Sequence, residues 1–329
     1  MQSSSNSSWV VIRRLLTLVA IVGIIAGVWF ERYAIYDIYR LHDYNAPVPV
    51  SALATSDTMT KKAQNLFYVN HPQLLDRTSF GNHCPEDEQT IVLGCYVPRD
   101  GIYLFDVTDE RLHGVEEVTA AHEMLHAAYE RLDSNTREHI DTLTQQAYAN
   151  LVDQRVRDNI EAYRRSDPSV VPNELHSILG TEVSSLPAEL EQYYSQYFTN
   201  RAVVVAFSNN YEKEFTDRRA TLDEDNNKLK DMKTRIDAAE SELSSLKAQL
   251  LAQRQSMEDL SRAGNYEAFN AQVGPFNAGV DSYNAKAAAL KIQIDAYNAL
   301  VDQVKALQLE VNNLRQSLDS RQAQDFSAQ

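Results

Sequence analysis

A chain of 329 residues has room for a membrane segment, one enzyme-sized domain and something long besides, since globular domains run to roughly 100–200 residues. Its formal charge of -15, with no Lys/Arg-rich block beyond the first fifteen residues, argues against nucleic acid as a partner, because neutralising phosphates takes clustered cations. An anionic lipid surface is disfavoured on the same ground.

From the N-terminus, Leu15 to Phe30 (LLTLVAIVGIIAGVWF) is an uninterrupted apolar run. Val10 to Ile12 extend it behind Arg13 and Arg14, whose long side chains can snorkel, to about the 20 residues of a membrane-spanning helix. Trp9 and Trp29 stand at aromatic-belt positions, and Arg32 follows Glu31, so the positive-inside rule puts residues 1–14 in the cytoplasm. A cleaved signal peptide is the rival, but no small-x-small site follows: two positions before Ala26 stands Ile24. The expectation is a single-pass cell-membrane protein anchored over 15–30, with everything after residue 31 extracellular. Residues 31–54 read as a helical juxtamembrane neck, with Tyr33, Tyr36 and Tyr39 on one side, ending at Pro47 and Pro49.

Residues 55–201 mix strand and helix signals and hold every candidate catalytic group. KKAQNLFYVNHP reads as a helix end followed by a short strand near Leu66 to Val69, and TIVLGCYV and IYLFDV, separated by the turn signal PRDG, read as a β-hairpin. Cys84 and Cys95 are the two cysteines of the chain. In an oxidising exterior an isolated pair reads as a disulfide closing a short loop; as zinc ligands they lack partners at metal spacing apart from His83.

AAHEMLHAAYERL, residues 120–132, follows on a helix with Val118, Ala121, Leu125, Ala128 and Leu132 as its apolar stripe. His122 and His126 lie beside that stripe, one turn apart on the same side. Two imidazoles so placed can reach one metal ion, and Glu123 can hold and deprotonate a metal-bound water. A chance HExxH turns up in a chain of this composition on the order of once per hundred, so its context decides: an amphipathic helix directly after a strand able to serve as an edge for an extended substrate. The bland reading is a surface helix with incidental histidines. A catalytic zinc needs a third protein ligand and an open position. The continuation HxxGxxH is absent, since Ala127, Ala128, Tyr129, Glu130, Arg131 and Leu132 follow His126, so that ligand is distant in sequence.

The best source is VVPNELHSILGTEVSSLP, where Pro172 suits the first turn of a helix and Asn173-Glu174 follow at once. With the HExxH helix, this resembles the ligand helix of the gluzincins, the thermolysin-like clan, in which an acidic ligand is followed three residues later by a small residue that lets two helices approach. Here Glu174 is followed by Ser177, then Gly180 and Thr181. The resemblance covers the two motif helices and the strand before them. It implies zinc as cofactor, Glu174 as third ligand and Glu123 as general base in the hydrolysis of peptide bonds. Where the family carries an Asp after the small position, this chain has Ile178. Glu182 and His176 are the alternative ligands; Glu182 follows Gly180, read as a helix end, and His176, two positions after Glu174, points about 200° around the same helix. The clan commonly adds a Tyr or His donor to the transition state, and Tyr193 and Tyr194, with Tyr197, are candidates, against the plain alternative of an aromatic face packed on the core. His113 and His83 read as structural or surface residues.

From residue 202 to 322 the chain is periodic. Leu222, Leu229, Met232, Ile236, Ala239, Leu243, Leu246, Leu250, Met257 and Leu260 follow an alternating three and four spacing, broken by Gln253. A second seam runs through Tyr297, Leu300, Val304, Leu307, Val311, Leu314 and Leu318. Gly264, Gly274, Pro275 and Gly279 interrupt the helix between them, which predicts an antiparallel coiled-coil hairpin, with a parallel dimer as alternative. Residues 323–329 read as a disordered tail. The expected fold is α+β: a small sheet with HExxH and ligand helices, an N-terminal transmembrane helix and a C-terminal helical hairpin. Two functions of different class follow: a membrane-anchored extracellular zinc endopeptidase acting on protein or peptide substrates, or a cell-envelope scaffold working through its coiled coil, by self-association or with an envelope protein, around a degenerate peptidase-like domain.

Overall fold

The structure, a computed structural model, describes residues 5–84 and 92–321. The expected tail at 323–329, the first four residues and the start of the expected strand at 90–91 lie outside the described residues, as does the end of the hairpin at 322. The chain divides into two compact units, Met1–Glu212 with Ser317–Gln329, and Lys213–Gln316.

The first unit opens with helix α1 (Ser5–Phe30) and continues through α2 (Arg32–Leu41), α3 (Val48–Ser56) and α4 (Lys61–Tyr68). Within α1 the described side chains are those of residues 9, 13–23 and 27. Among the described residues no helix is long and apolar enough to cross a membrane. The anchor expected over 15–30 is therefore corrected, and with it the single-pass cell-membrane localisation, cytoplasmic N-terminus and extracellular remainder that rested on it.

The expected neck is helical, but its second half is core: Val50, Leu53 and Ala54 of α3 are buried. Asp37 of α2 is tied to Arg131 by two hydrogen bonds of 2.8 Å. The strand expected near Leu66 to Val69 is helix α4 instead. The Thr60 side chain accepts from the Ala63 N–H at the helix start, and Ala63, Leu66 and Phe67 recur at helical spacing on the buried face. Burying a side chain such as Phe67 is worth about 1.5–3 kcal/mol, enough to override the β preference of its sequence.

A small sheet follows, of β1 (Gln73–Leu75), then β2 (Gly94–Val97) and β3 (Gly101–Phe105), with the short helix α5 (Arg77–Gly81) after β1. Its order is β1-β3-β2; β1 runs parallel to β3 and β2 antiparallel, as the turn signal at Pro98–Asp100 required. Cys84 and Cys95 are bonded, linking the α5 side of the sheet to β2. The rest of the unit is helical: α6 (Val115–Glu130), α7 (Ser134–Ala149), α8 (Gln154–Ser166), α9 (Val171–Glu182), α10 (Ala188–Tyr194) and the start of α11 (Arg201–Arg262). Helices thus dominate, and the α+β class is corrected to a mainly helical fold with, among the described residues, one three-stranded sheet. Its core joins α3, α4, β3, α6 and α10 around Phe67, Ile102, Met124, Leu125 and Tyr194.

The second unit holds the rest of α11 and most of α12 (Tyr266–Leu318) as an antiparallel pair. Arg218 is paired with Glu310 and Lys286 with Glu242, both at 2.7 Å and both placed symmetrically about Gly264. Only Ala263–Asn265 leave the helices, with Gly264 at φ 73°. The expected breakers Gly274, Pro275 and Gly279 lie inside α12. Gly279 has a packing reason to be there: a Cβ would come within 2.8 Å of Leu250 Cδ2. On α11 every seam position from Leu222 to Leu260 is at least partly buried, Gln253 included, which takes the place of an apolar residue without breaking the pattern.

Candidate metal centre

Helix α6 begins where the chain needs a glycine. Gly114 has φ 103°, and a Cβ there would sit 2.9 Å from the Phe207 carbonyl oxygen. Glu116 and Glu117 in the first turn suit the positive end of the helix dipole. Ala120, Ala121, Met124, Leu125 and Ala128 are buried against the core, which leaves His122, Glu123 and His126 toward a cleft of about 610 Å³. Its walls include Val92 and Leu93, then Gly94 to Tyr96 at the beginning of β2, and the start of α9.

Helix α9 packs against α6 because its facing residues are small. Ser177 is fully buried, and a Cβ on Gly180 would lie 2.5 Å from Leu125 Cδ1 and 2.8 Å from Tyr194 Cε1. Gly180 is therefore inside α9, not at its end. Pro172 lies in the first turn, as its missing N–H favours. This approach brings Glu174 to the two histidines. Its Oε2 is 3.5 Å from His122 Nε2 and its Oε1 3.5 Å from His126 Nε2.

His122, Glu123 and His126 themselves bring ligand-capable atoms within 4.8 Å of one another. The 3.5 Å separations of Glu174 from the two histidines are the ones close to a metal's ligand spacing. Two donors each about 2.0–2.1 Å from a tetrahedral zinc stand about 3.3 Å apart. Glu174 Oε2 is buried without a well-formed hydrogen bond, 3.5 Å being too long for one. Burial pushes the Glu174 carboxyl up, and the His126 and His122 imidazoles and the Tyr163 hydroxyl bring it below the ordinary Glu range. His126 Nδ1 is 3.2 Å from Ser177 Oγ, so its Nε2 is the nitrogen left for a metal.

The other candidates fall elsewhere. Glu182 lines the cleft but is ion-paired with Arg155 at 2.6 Å. His176 is fully buried in the core, its Nε2 2.9 Å from the Tyr193 hydroxyl, and burial with the nearby His126 and His122 pulls its pKa down to about 3. Tyr194 donates to the His176 carbonyl at 2.6 Å, and neither Tyr193 nor Tyr194 lines the cleft. His83 stacks on Tyr103 and His113 lies beside Phe207. Tyr163 and Asn173 line the cleft; Asn173 stands in the ligand-helix stretch without a role of its own, and no motif marks Tyr163 or Gly94, where a Cβ would meet Glu123 Cγ at 2.9 Å. A glycine inside a strand signal, as in VLGCYV, marks such close approaches and was the available clue.

Compared with known proteins, the chain matches no family, no curated protein and no solved structure.

Proposed function

We propose that the chain is a zinc-dependent endopeptidase of gluzincin type, hydrolysing peptide bonds of protein or peptide substrates in the cleft between β2, α6 and α9. One observation supports this reading above the others: the Glu174 carboxylate faces the HExxH pair, with Oε2 3.5 Å from His122 Nε2 and Oε1 3.5 Å from His126 Nε2, each close to the about 3.3 Å between two ligand atoms on one tetrahedral zinc. When bound, zinc supplies a Lewis acid and lowers the pKa of a coordinated water. Glu123, almost fully buried next to His122, accepts a proton from the attacking water and passes it to the leaving amine as the C–N bond breaks. Strand β2 is paired on one side with β3, and its residues line the cleft, so an extended substrate can lie along it.

The test is Glu123→Gln. It is expected to keep fold and zinc while cleavage of denatured casein falls by about 10²–10⁴-fold, the usual contribution of general acid–base catalysis. Cleavage at the parent rate would refute the role. A second reading is a scaffold working through the helical hairpin, favoured by its long continuous seam. No zinc retained after refolding with the metal would turn the choice to it.

A further inference from the structure

Strand β2 is the outer strand of the sheet, and one hydrogen bond sets which of its groups turn outward. The Phe105 N–H donates to the Leu93 carbonyl, just before β2, at 2.8 Å. Backbone groups alternate sides along an antiparallel strand. Leu93, Cys95 and Val97 therefore turn theirs to β3, and Val92, Gly94 and Tyr96 turn theirs to the open edge. Gly94 stands over the proposed general base, since a Cβ there would lie 2.9 Å from Glu123 Oε1.

At Val92 the edge is already occupied. Ser320, just past the end of α12, donates from Oγ to the Val92 carbonyl. The segment that carries it is held at several points: Ser317 donates to Asp109 at 3.2 Å, and Leu318 and Ser320 are buried. These residues belong to the same compact unit as β2.

On the peptidase reading, on which this inference rests, an extended substrate pairs with the open edge of β2 and is cut beside Gly94. Two residues, at roughly 3.3 Å each, carry it from there to Val92, where the carbonyl is already bonded and Ser320 stands in its path. In the other direction the edge continues through Tyr96 toward Pro98, both in the cleft wall.

We propose that Ser320 determines specificity by ending the substrate track at Val92. The cleft then grips a peptide over about two residues on one side of the cut and over more on the other. It selects substrates whose chain ends, or bends off the strand, past the second residue on the short side.

The experiment starts from the zinc-loaded full chain. Denatured casein is digested, the main cut is located by mass spectrometry, and a peptide spanning it, capped at both ends, is made with two, three or four residues on either side. For the parent, lengthening from two to four residues is expected to raise kcat/KM by about 2- to 10-fold on one side, the net worth of one hydrogen bond, and to leave it flat on the other. In Ser320→Gly the flat side gains by a similar factor, through KM, because the Val92 carbonyl is open to the substrate. Ser320→Thr, which keeps the hydroxyl, stays flat, and both variants hold zinc at the parent level. In the inert Glu123→Gln background the same profile appears in peptide Kd. Equal gains on both sides of the parent overturn the assignment and leave the peptidase reading intact, and so does a flat side that stays flat in zinc-loaded Ser320→Gly. A parent that holds zinc and leaves casein uncut overturns the peptidase reading, and the assignment falls with it.

Discussion

Ser177 Oγ lies 3.2 Å from Nδ1 of His126, so a serine on α9 fixes which ring nitrogen of a histidine on α6 turns to the cleft. The same helix supplies Glu174 one turn earlier, and one packing contact therefore sets both the ligand and the orientation of its neighbour. We predict that Ser177→Ala folds and weakens zinc by about 10- to 100-fold, as loss of a ligand-orienting hydrogen bond typically does. Chelator competition measures it, and an unchanged affinity would show that Ser177 orients nothing.

The approach of the two helices is set by Gly180. A larger residue there must displace Leu125 and Tyr194, both fully buried. Gly180→Leu is predicted to destabilise the protein by at least about 2 kcal/mol in urea unfolding, the usual scale of overpacking, and to weaken zinc as well. Parent-like stability would mean that α9 has room to move and that the small residue does not hold the site.

The hairpin register gives a covalent test. Glu242 and Lys286 are 2.7 Å apart across the pair. A fragment of residues 213–316, which contains no native cysteine, is predicted to be strongly helical by circular dichroism. With Glu242→Cys and Lys286→Cys, where two short side chains replace long ones that meet at their tips, a short bismaleimide should bridge the two cysteines within a monomer. Crosslinked dimers alone would instead favour helices paired between chains.

Stability should depend on pH through Glu116. Burial, joined by Asp106 and Glu117 and opposed by the Val107 N–H, pushes its carboxyl up to about 7. In the unfolded chain this carboxyl ionises at about pH 4.3. Between these values the folded protein holds the proton that the unfolded chain has lost, so stability falls as pH rises through that window and then levels off. Glu116→Gln keeps an acceptor for Val107 and cannot ionise. It is predicted to gain on the parent by about 1–2 kcal/mol at pH 8 and by little at pH 4, a range reduced because Glu116 is only partly buried. A gain independent of pH would contradict the shift.

What the sequence disclosed was the local part of the structure. HExxH on an amphipathic helix, Pro172 ahead of Glu174, the turn between β2 and β3 and the heptad seam all rest on spacings within a few turns of chain. What it hid depends on distant partners. β1 pairs with β3 across about 30 residues, and α3 is core only because α4 and α6 cover it. Gly274, Pro275 and Gly279 read as breakers, yet packing along the hairpin holds α12 through them. The apolar run at 15–30 is the reverse case, where local composition suggested a membrane span that the described helix does not support. At the site, the motif fixed His122, Glu123 and His126, whereas the engagement of Glu182 by Arg155 and the placing of Tyr193 and Tyr194 in the core became visible only once the helices were packed.

The central claim is that Glu174, with His122 and His126, completes a metal site. Zinc per chain, measured by elemental analysis after mild dialysis, tests it most directly across the parent, Glu174→Ala, Glu182→Ala and His176→Ala. The parent is predicted to hold about one zinc, Glu174→Ala to lose it, and the other two to keep it, since neither Glu182 nor His176 faces the histidine pair. Zinc at parity in Glu174→Ala, together with its loss from Glu182→Ala or His176→Ala, would contradict the assignment.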